Sequence, residues 1–253
     1  MLSTPIKYRR DIPFYYDKSD AEFSRDPYEQ YANMVTRQMR LHLATEPHPF
    51  KAVIHFILEN LPADRVEKVA DIGCGVGQLI STIAQRFPEA NCYGVDYSYQ
   101  LLKVANDYFV KGKKIAINDE IRGFESIQIN GFIIENLQFL LTKAEQLPFI
   151  NHSLSAICSS FALDRFQEPT VALREIFRCL TVGGRAIICS PLNFQQTAHW
   201  EYFYPPQRLF STLEEIGFRI IKVNETLQIH EPLDLHGNII HWKVLGIVVE
   251  KST

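Results

Sequence analysis

The sequence predicts an α/β protein: a mainly parallel sheet with helices on both faces and an antiparallel strand at one edge. Two observations predict it. Short apolar runs alternate with stretches of helical periodicity, and a glycine-rich segment joins the first such strand to the first such helix. Residues 68–72 read as a short buried strand. Residues 78–87 read as a helix, with Leu79, Ile80, Ile83 and Phe87 recurring at helical spacing. A second strand covers 91–96. A helix over 98–108 follows, with Ser98 as N-cap and Leu101, Leu102, Ala105 and Phe109 on its inner face. Strands at 137–142 and 154–161 are followed by a helix over 171–180, stopped by Gly183-Gly184, and a fifth strand at 185–190. A helix at 209–216 ends at Gly217 and leads into strands at 218–223 and 241–249. No helix separates these last two, so they are expected to pair antiparallel at the sheet edge.

Two regions exceed a minimal sheet of βα units. Residues 1–50 form an N-terminal arm or cap rich in aromatic residues, with a helix predicted near 28–43, ahead of a main domain over 51–253. Residues 110–136 make a connection longer than the usual loop of about 4–6 residues, punctuated by Gly112, Gly123 and Gly131. Long connections in compact domains are commonly lids or binding loops, so both segments are expected to cover a ligand cleft.

Composition excludes several classes. The 253 residues, 46% hydrophobic and 22% charged, suit one soluble globular domain. A formal net charge of −3 gives no electrostatic case for a nucleic-acid backbone. No apolar run reaches the roughly 18–20 residues of a membrane span, and the N-terminal Lys7, Arg9, Arg10 and Asp11 lack the apolar core of a signal peptide. Five cysteines without ligand spacing read as reduced thiols, and Cys92, Cys158 and Cys189 read as small hydrophobes in strands. The expected compartment is the cytoplasm, and the expected state a monomer or homodimer.

Loop spacing discriminates between ligands. Dinucleotide sites use Gly-x-Gly-x-x-Gly, whereas Gly73, Gly75 and Gly77 are each two apart and Gln78 follows. A P-loop is excluded because no Gly-Lys-Ser/Thr follows. Asp71, two residues before the first glycine, sets a carboxylate beside the ligand, which repels phosphate and suits an ammonium group. Asp96 ends the second strand. This pattern resembles the class I S-adenosylmethionine-dependent methyltransferases, a Rossmann-like fold. The resemblance runs over about residues 50–192 and implies S-adenosylmethionine as cofactor. It implies that Asp71, Gly73, Cys74, Gly75 and Gly77 surround the methionine part, that Asp96 and Tyr97 take the ribose, and that Ala144 and Glu145 in 143–149 meet the adenine. Phe161, after the fourth strand, is placed by it along the methyl-transfer site.

A narrower resemblance is to the methyltransferases acting on 4-mercaptohistidine in ovothiol synthesis. It rests on Asp164-Arg165, Ser190-Pro191 and the long connection before the third strand. The chain departs from that group after Pro191, where it reads Leu-Asn-Phe-Gln-Gln in place of Tyr-Thr-Trp. The acceptor therefore stays open.

Methyl transfer from a sulfonium is an in-line displacement. The protein must align the acceptor and, for a phenol or alcohol, remove a proton. Catalytic candidates are Asp164 and His199. Substrate-binding candidates are Tyr15, Tyr16, Arg165, Asn193, Trp200 and Tyr202, with Tyr204, Glu231, Asp234, His236 and His241 in the same C-terminal stretch. Asp164 and Arg165 would grip the ammonium and carboxylate of a zwitterion, or pair within the scaffold. No metal site is expected, because the histidines lack repeated ligand spacing. Three readings compete: a small-molecule methyltransferase, a methyltransferase of protein or nucleic acid, and a binder of S-adenosylmethionine that transfers no methyl group.

Overall fold

The computed structural model describes residues 2–62 and 66–252. Its strands are β1 (Lys7–Arg9), β2 (Ile12–Phe14), β3 (Lys68–Ile72), β4 (Asn91–Asp96), β5 (Ile115–Ile117), β6 (Ile127–Ile129), β7 (Leu137–Leu141), β8 (Leu154–Ser160), β9 (Leu180–Ser190), β10 (Phe218–Pro232) and β11 (Ile239–Lys251). Its α-helices are α1 (Asp20–Arg25), α2 (Pro27–Gln30), α3 (Ala32–Leu43), α4 (Lys51–Asn60), α5 (Gln78–Arg86), α6 (Tyr99–Phe109), α7 (Pro169–Cys179), α8 (Thr197–Phe203) and α9 (Pro206–Ile216).

Among the described residues nine strands form one sheet, in the order β1-β2-β7-β4-β3-β8-β9-β11-β10. The run from β7 to β9 is parallel, and β11 and β10 continue it antiparallel. From β3 the chain steps outward through β4 to β7, then returns to β8 on the other side of β3. The carboxyl ends of β3, β4 and β8 therefore flank a switch point, where an open sheet leaves a crevice. Side chains alternate across the sheet. Val69, Cys92 and Cys158 face a core with α4, α5 and α6, while Ala70, Ile72 and Ile157 face one with α7 and α9. All five cysteines are free and buried. Among the described residues no helix is long and apolar enough to cross a membrane.

Several expectations need correction. Gly183-Gly184 does not stop a helix: α7 ends at Cys179 and the chain passes directly into β9. The glycines lie inside that strand, where a register irregularity against β8 falls beside them and Gly183 takes φ +75°. The helix expected over 28–43 is two helices. Asp26 caps α2 by accepting from the Tyr28 N–H at 2.9 Å, and Tyr31 is extended before α3 begins. The break leaves Glu29 free to accept from the N–H of Tyr99, at the start of α6, at 3.0 Å. Residues 1–50 also extend the sheet, since β2 pairs parallel with β7 and β1 antiparallel with β2.

The 110–136 connection contributes nothing to the cleft wall among the described residues. It folds as a β5–β6 hairpin around a short 3-10 turn, Glu120–Arg122. Ile117 of the hairpin packs with Met39 of α3, Val76 and Leu101. Asp119 is buried; it accepts from Arg122 at 2.9 and 2.5 Å and lies 3.9 Å from Arg40 Nε of α3. The connection is thus a buttress behind the cap helix. Replacing Asp119 with Ala leaves two guanidinium groups without their carboxylate. The expected loss is about 3 kcal/mol, read as a lower urea midpoint; an unchanged midpoint would show that the buttress contributes no stability.

Candidate active site

A cavity of about 670 Å³ opens at the carboxyl ends of β3, β4 and β8, within the usual size of small-molecule sites, about 300–1,000 Å³. Its floor is the turn from β3 to α5. Gly73, Gly75 and Gly77 all take positive φ (+79°, +57° and +83°). A Cβ on Gly73 would stand 2.3 Å from Ala162 Cβ, whereas one on Gly75 would meet nothing within 4 Å. Gly75 is therefore required for backbone shape and Gly73 for close approach as well. Gly77 does not line the cavity: it is the N-cap of α5, tight against Phe139.

Asp71 is 2% exposed, and its Oδ1 has no hydrogen-bond partner among the described residues. Burial, with Asp96 nearby, pushes its pKa up to about 8. Asp96 is arranged differently. One oxygen accepts from the Gly75 N–H at 2.8 Å and the other from the Ser98 N–H at 2.7 Å. Burial raises its pKa, while these two N–H groups act the other way. Cys74 lies between them as a neutral thiol, pushed well above its ordinary value by burial and the two carboxylates.

Tyr97, Ala144, Glu145, Phe161 and Arg165 also line the cavity. Glu145 accepts from the Glu168 N–H at 3.0 Å through one oxygen. Phe161 carries φ +56°, a strained conformation for an aromatic residue. Its ring meets Phe50 and Trp242 edge-to-face, with centroids 5.2 and 6.0 Å away.

Of the catalytic and substrate-binding candidates, Arg165 and Glu231 line the cavity, whereas Asp164, His199, Tyr15, Tyr16, Asn193, Trp200, Tyr202, Tyr204, Asp234, His236 and His241 lie away from its wall. Asp164 is 1% exposed, beneath the surface, and accepts from Ser190 Oγ at 2.8 Å; its neighbour Arg165 faces the cavity instead. His199 packs between Phe194 and Phe203, and Asn193, Trp200 and Tyr202 share that flank. Trp200 Nε1 donates to the Phe194 carbonyl, which turns it toward its own helix. Tyr15 is held in the sheet, its N–H bonded to the Leu141 carbonyl. Tyr16 sits one layer out, donating to Glu22, which does line the cavity.

Across from the glycine turn the cavity is walled in part by the N-terminal segment that the sequence places over the cleft, through residues it does not single out. Tyr28, Arg37 and His42 enter from the cap helices, Phe50 and Ile54 from the start of α4, and Trp242 from β11. Glu231, on β10, accepts from Arg37 and, at 2.8 Å, from Trp242 Nε1. Glu231 is the member of this wall that the sequence names; its pairing with Arg37, 194 positions away, has no local signal. Among the described residues no cluster of three His, Cys, Asp or Glu side chains could hold a metal ion.

Known proteins share this architecture. Residues 70–188 match the family described as a methyltransferase domain. The malonyl-[acyl-carrier protein] O-methyltransferase of a Marinomonas species is 23% identical over a region covering 74% of this chain and 55% of that protein. The trans-aconitate 2-methyltransferase of Escherichia coli is 30% identical, covering 47% of this chain and 49% of that protein. The chain spans about half the length of the curated relatives it matches. A solved SAM dependent methyltransferase from Aquifex aeolicus superposes with a TM-score of 0.57 at 15% identity, covering 86% of this chain and 98% of that one. A TehB-like SAM-dependent methyltransferase from Corynebacterium glutamicum gives 0.57 at 18% identity, covering 88% and 99%.

The fold is that of the class I S-adenosylmethionine-dependent methyltransferases, and the cofactor of the class is S-adenosylmethionine. The cleft fits it. An unpartnered buried carboxylate beside a side-chain-free turn suits an ammonium group, and no phosphate cradle competes with it.

The raised Asp71 pKa has a defined consequence. The ligand-free protein keeps a proton there that the unfolded chain releases above about pH 4. Its contribution to stability is complete below that value and is lost as the pH rises toward about 8. An ammonium group needs the ionised form, so binding of adenosylhomocysteine at about pH 7 should eject a proton from Asp71. Calorimetry in buffers of different ionisation enthalpy reads that release. Asp71→Asn should abolish it and weaken binding; equal proton release by the variant would assign the proton elsewhere.

Proposed function

We propose that the protein transfers a methyl group from S-adenosylmethionine to a small-molecule nucleophile. The observation that carries the reading is the buried Asp71 carboxylate without a partner, facing the cleft at the end of β3 beside Gly73 and Gly75. In this reading Asp71 holds the ammonium group and the glycine turn accommodates the methionine chain. Asp96 accepts from the ribose hydroxyls, each oxygen retaining a lone pair beyond its present N–H. Tyr97, Ala144 and Glu145 border the adenine, and Cys74 and Phe161 the sulfur end. The bound cofactor supplies the activated methyl group, and the residues around it supply alignment and exclusion of water.

A small acceptor is supported by the enclosure. Cap helices α2 and α3 and the β10–β11 hairpin supply the wall across from the glycine turn, so the cavity is covered on that side. Named relatives act on malonyl-[acyl-carrier protein], demethylmenaquinone and trans-aconitate, a range that supports small acceptor groups without choosing one. Asp164, which lies 3.4 Å from Arg165 Nε through Oδ2, is assigned to positioning that guanidinium. His199 has no acceptor within its reach in this reading.

Release of adenosylhomocysteine in a cell extract tests transfer. Activity that survives nuclease and protease treatment, and is lost on dialysis, is expected. Activity that disappears with nuclease or protease would replace the small molecule with a macromolecule. Asp96→Ala should weaken adenosylhomocysteine binding by about 1.5–3 kcal/mol; calorimetry giving wild-type affinity in a folded variant would remove Asp96 from the site.

A further inference from the structure

We propose that His230 and His241 form a two-histidine site for a divalent transition-metal ion, which clips β10 to β11 behind the wall of the cavity. The site is separate from the cleft, and its test does not use the cofactor.

The two residues lie directly opposite each other in the antiparallel register of β10 and β11, so their side chains share one face of the hairpin. The rings converge. Nδ1 of His230 stands 2.6 Å from Nδ1 of His241, and the ring centroids are 4.7 Å apart with 75° between the planes. At that distance one nitrogen carries a proton and the other offers its lone pair, because two protons or two lone pairs in the gap would repel. When a metal ion enters, that proton moves to Nε2 of the same ring, and both neutral rings present a lone pair at Nδ1. Metal–imidazole bonds of about 2.0–2.1 Å at tetrahedral or square-planar angles set the two nitrogens roughly 2.9–3.4 Å apart. Small side-chain rotations separate the present geometry from that one.

Both histidines are exposed, so an ion reaches them from solvent without displacing packed groups. On the same face the neighbouring register pairs are Gln228 with Lys243 and Pro232 with Ile239. Lys243 is the one charged residue of these four. Among the described residues no third His, Cys, Asp or Glu joins the pair, and Asp234 and His236 of the turn stand apart from it. The remaining coordination positions fall to water. Imidazole with water suits Zn²⁺, Ni²⁺ or Cu²⁺, whereas Mg²⁺ and Ca²⁺ take oxygen ligands. Strand pairing alone brings together two histidines 11 positions apart, which is why no ligand spacing marks them in the sequence. Glu231 and Trp242, one residue on from each histidine, point to the opposite face and line the cavity, where the indole donates to Glu231 at 2.8 Å. A metal tie at this level restrains the strands that carry both wall residues.

The test uses the full chain without a histidine tag. Calorimetric titration with Ni²⁺ and with Zn²⁺ is expected to show a tightest site of one ion per chain, and Mg²⁺ no binding. His230→Ala and His241→Ala should each weaken Ni²⁺ binding at that site by at least about 10- to 100-fold, the loss that an outer-shell partner alone causes. His230→Gln and His241→Gln, which keep a polar side chain at the exposed position, should lose the metal equally. His55→Ala, at the exposed His55–Glu59 pair on α4, should leave the affinity unchanged. Wild-type melting temperatures in the absence of metal report that the variants fold. Saturating Ni²⁺ should slow hydrogen exchange of the β10 and β11 amides in the wild-type chain and not in the His230 or His241 variants. The inference is overturned if the wild-type chain binds neither Ni²⁺ nor Zn²⁺, if binding survives substitution of His230 or His241, or if His55→Ala removes it. Exchange that stays unchanged in the saturated wild-type chain overturns the clip.

Discussion

A buried carboxyl group without a donor at the centre of the sheet is the constraint on which the site depends. β3 lies between β4 and β8, so its last residues are walled on both sides by neighbouring strands. A carboxylate at Asp71 has no water shell there, and the fold gives its Oδ1 no donor. Burying an unpaired carboxylate is costly, and the group responds by holding its proton to about pH 8. Asp96, one strand over, receives two backbone N–H groups and escapes most of that cost. One carboxylate is thus completed by the fold and the other is left without a donor among the described residues.

The rest of the molecule can be understood as the means of keeping that carboxyl group dry. Residues before β3 cross the cleft as α2 and α3, and the cap is tied down at several points. Lys18 pairs with Asp26 and lies over the Tyr97 ring at 3.9 Å. Glu29 accepts from the first turn of α6. Arg40 and Asp119 join α3 to the β5–β6 hairpin. Each tie links the N-terminal segment to a later part of the chain, so the walls of the cavity and the core share the same supports.

The wall across from the glycine turn has different origins. It draws on α3, the start of α4, the segment after β8 and the two C-terminal strands. Long antiparallel β10 and β11 carry Glu231 and Trp242 past the sheet edge, and the ion pair with Arg37 closes the ring. Asp164 and His199, attractive in the sequence as titratable residues after strands, fold inward instead. Ser190 takes the Asp164 carboxylate, and Phe194 and Phe203 enclose the His199 ring.

What the sequence determined by itself is local. The period of apolar residues placed the central strands and helices, Ser98 and Gly217 marked a helix start and a helix end, and the glycines at two-residue spacing after Asp71 marked the turn that floors the cavity. These features depend on backbone conformation within a few residues, so they are written in adjacent letters. That the sheet is mainly parallel, with the last two strands paired antiparallel at one edge, also followed from the alternation of strands and helices. Only the tertiary structure decided that 110–136 supports the cap rather than covering the cleft, that α2 and α3 break at Tyr31, and that Arg37 meets Glu231 across 194 positions. Such pairings arise from packing between distant segments, and no local period or propensity encodes which of many charged or aromatic residues will face one another.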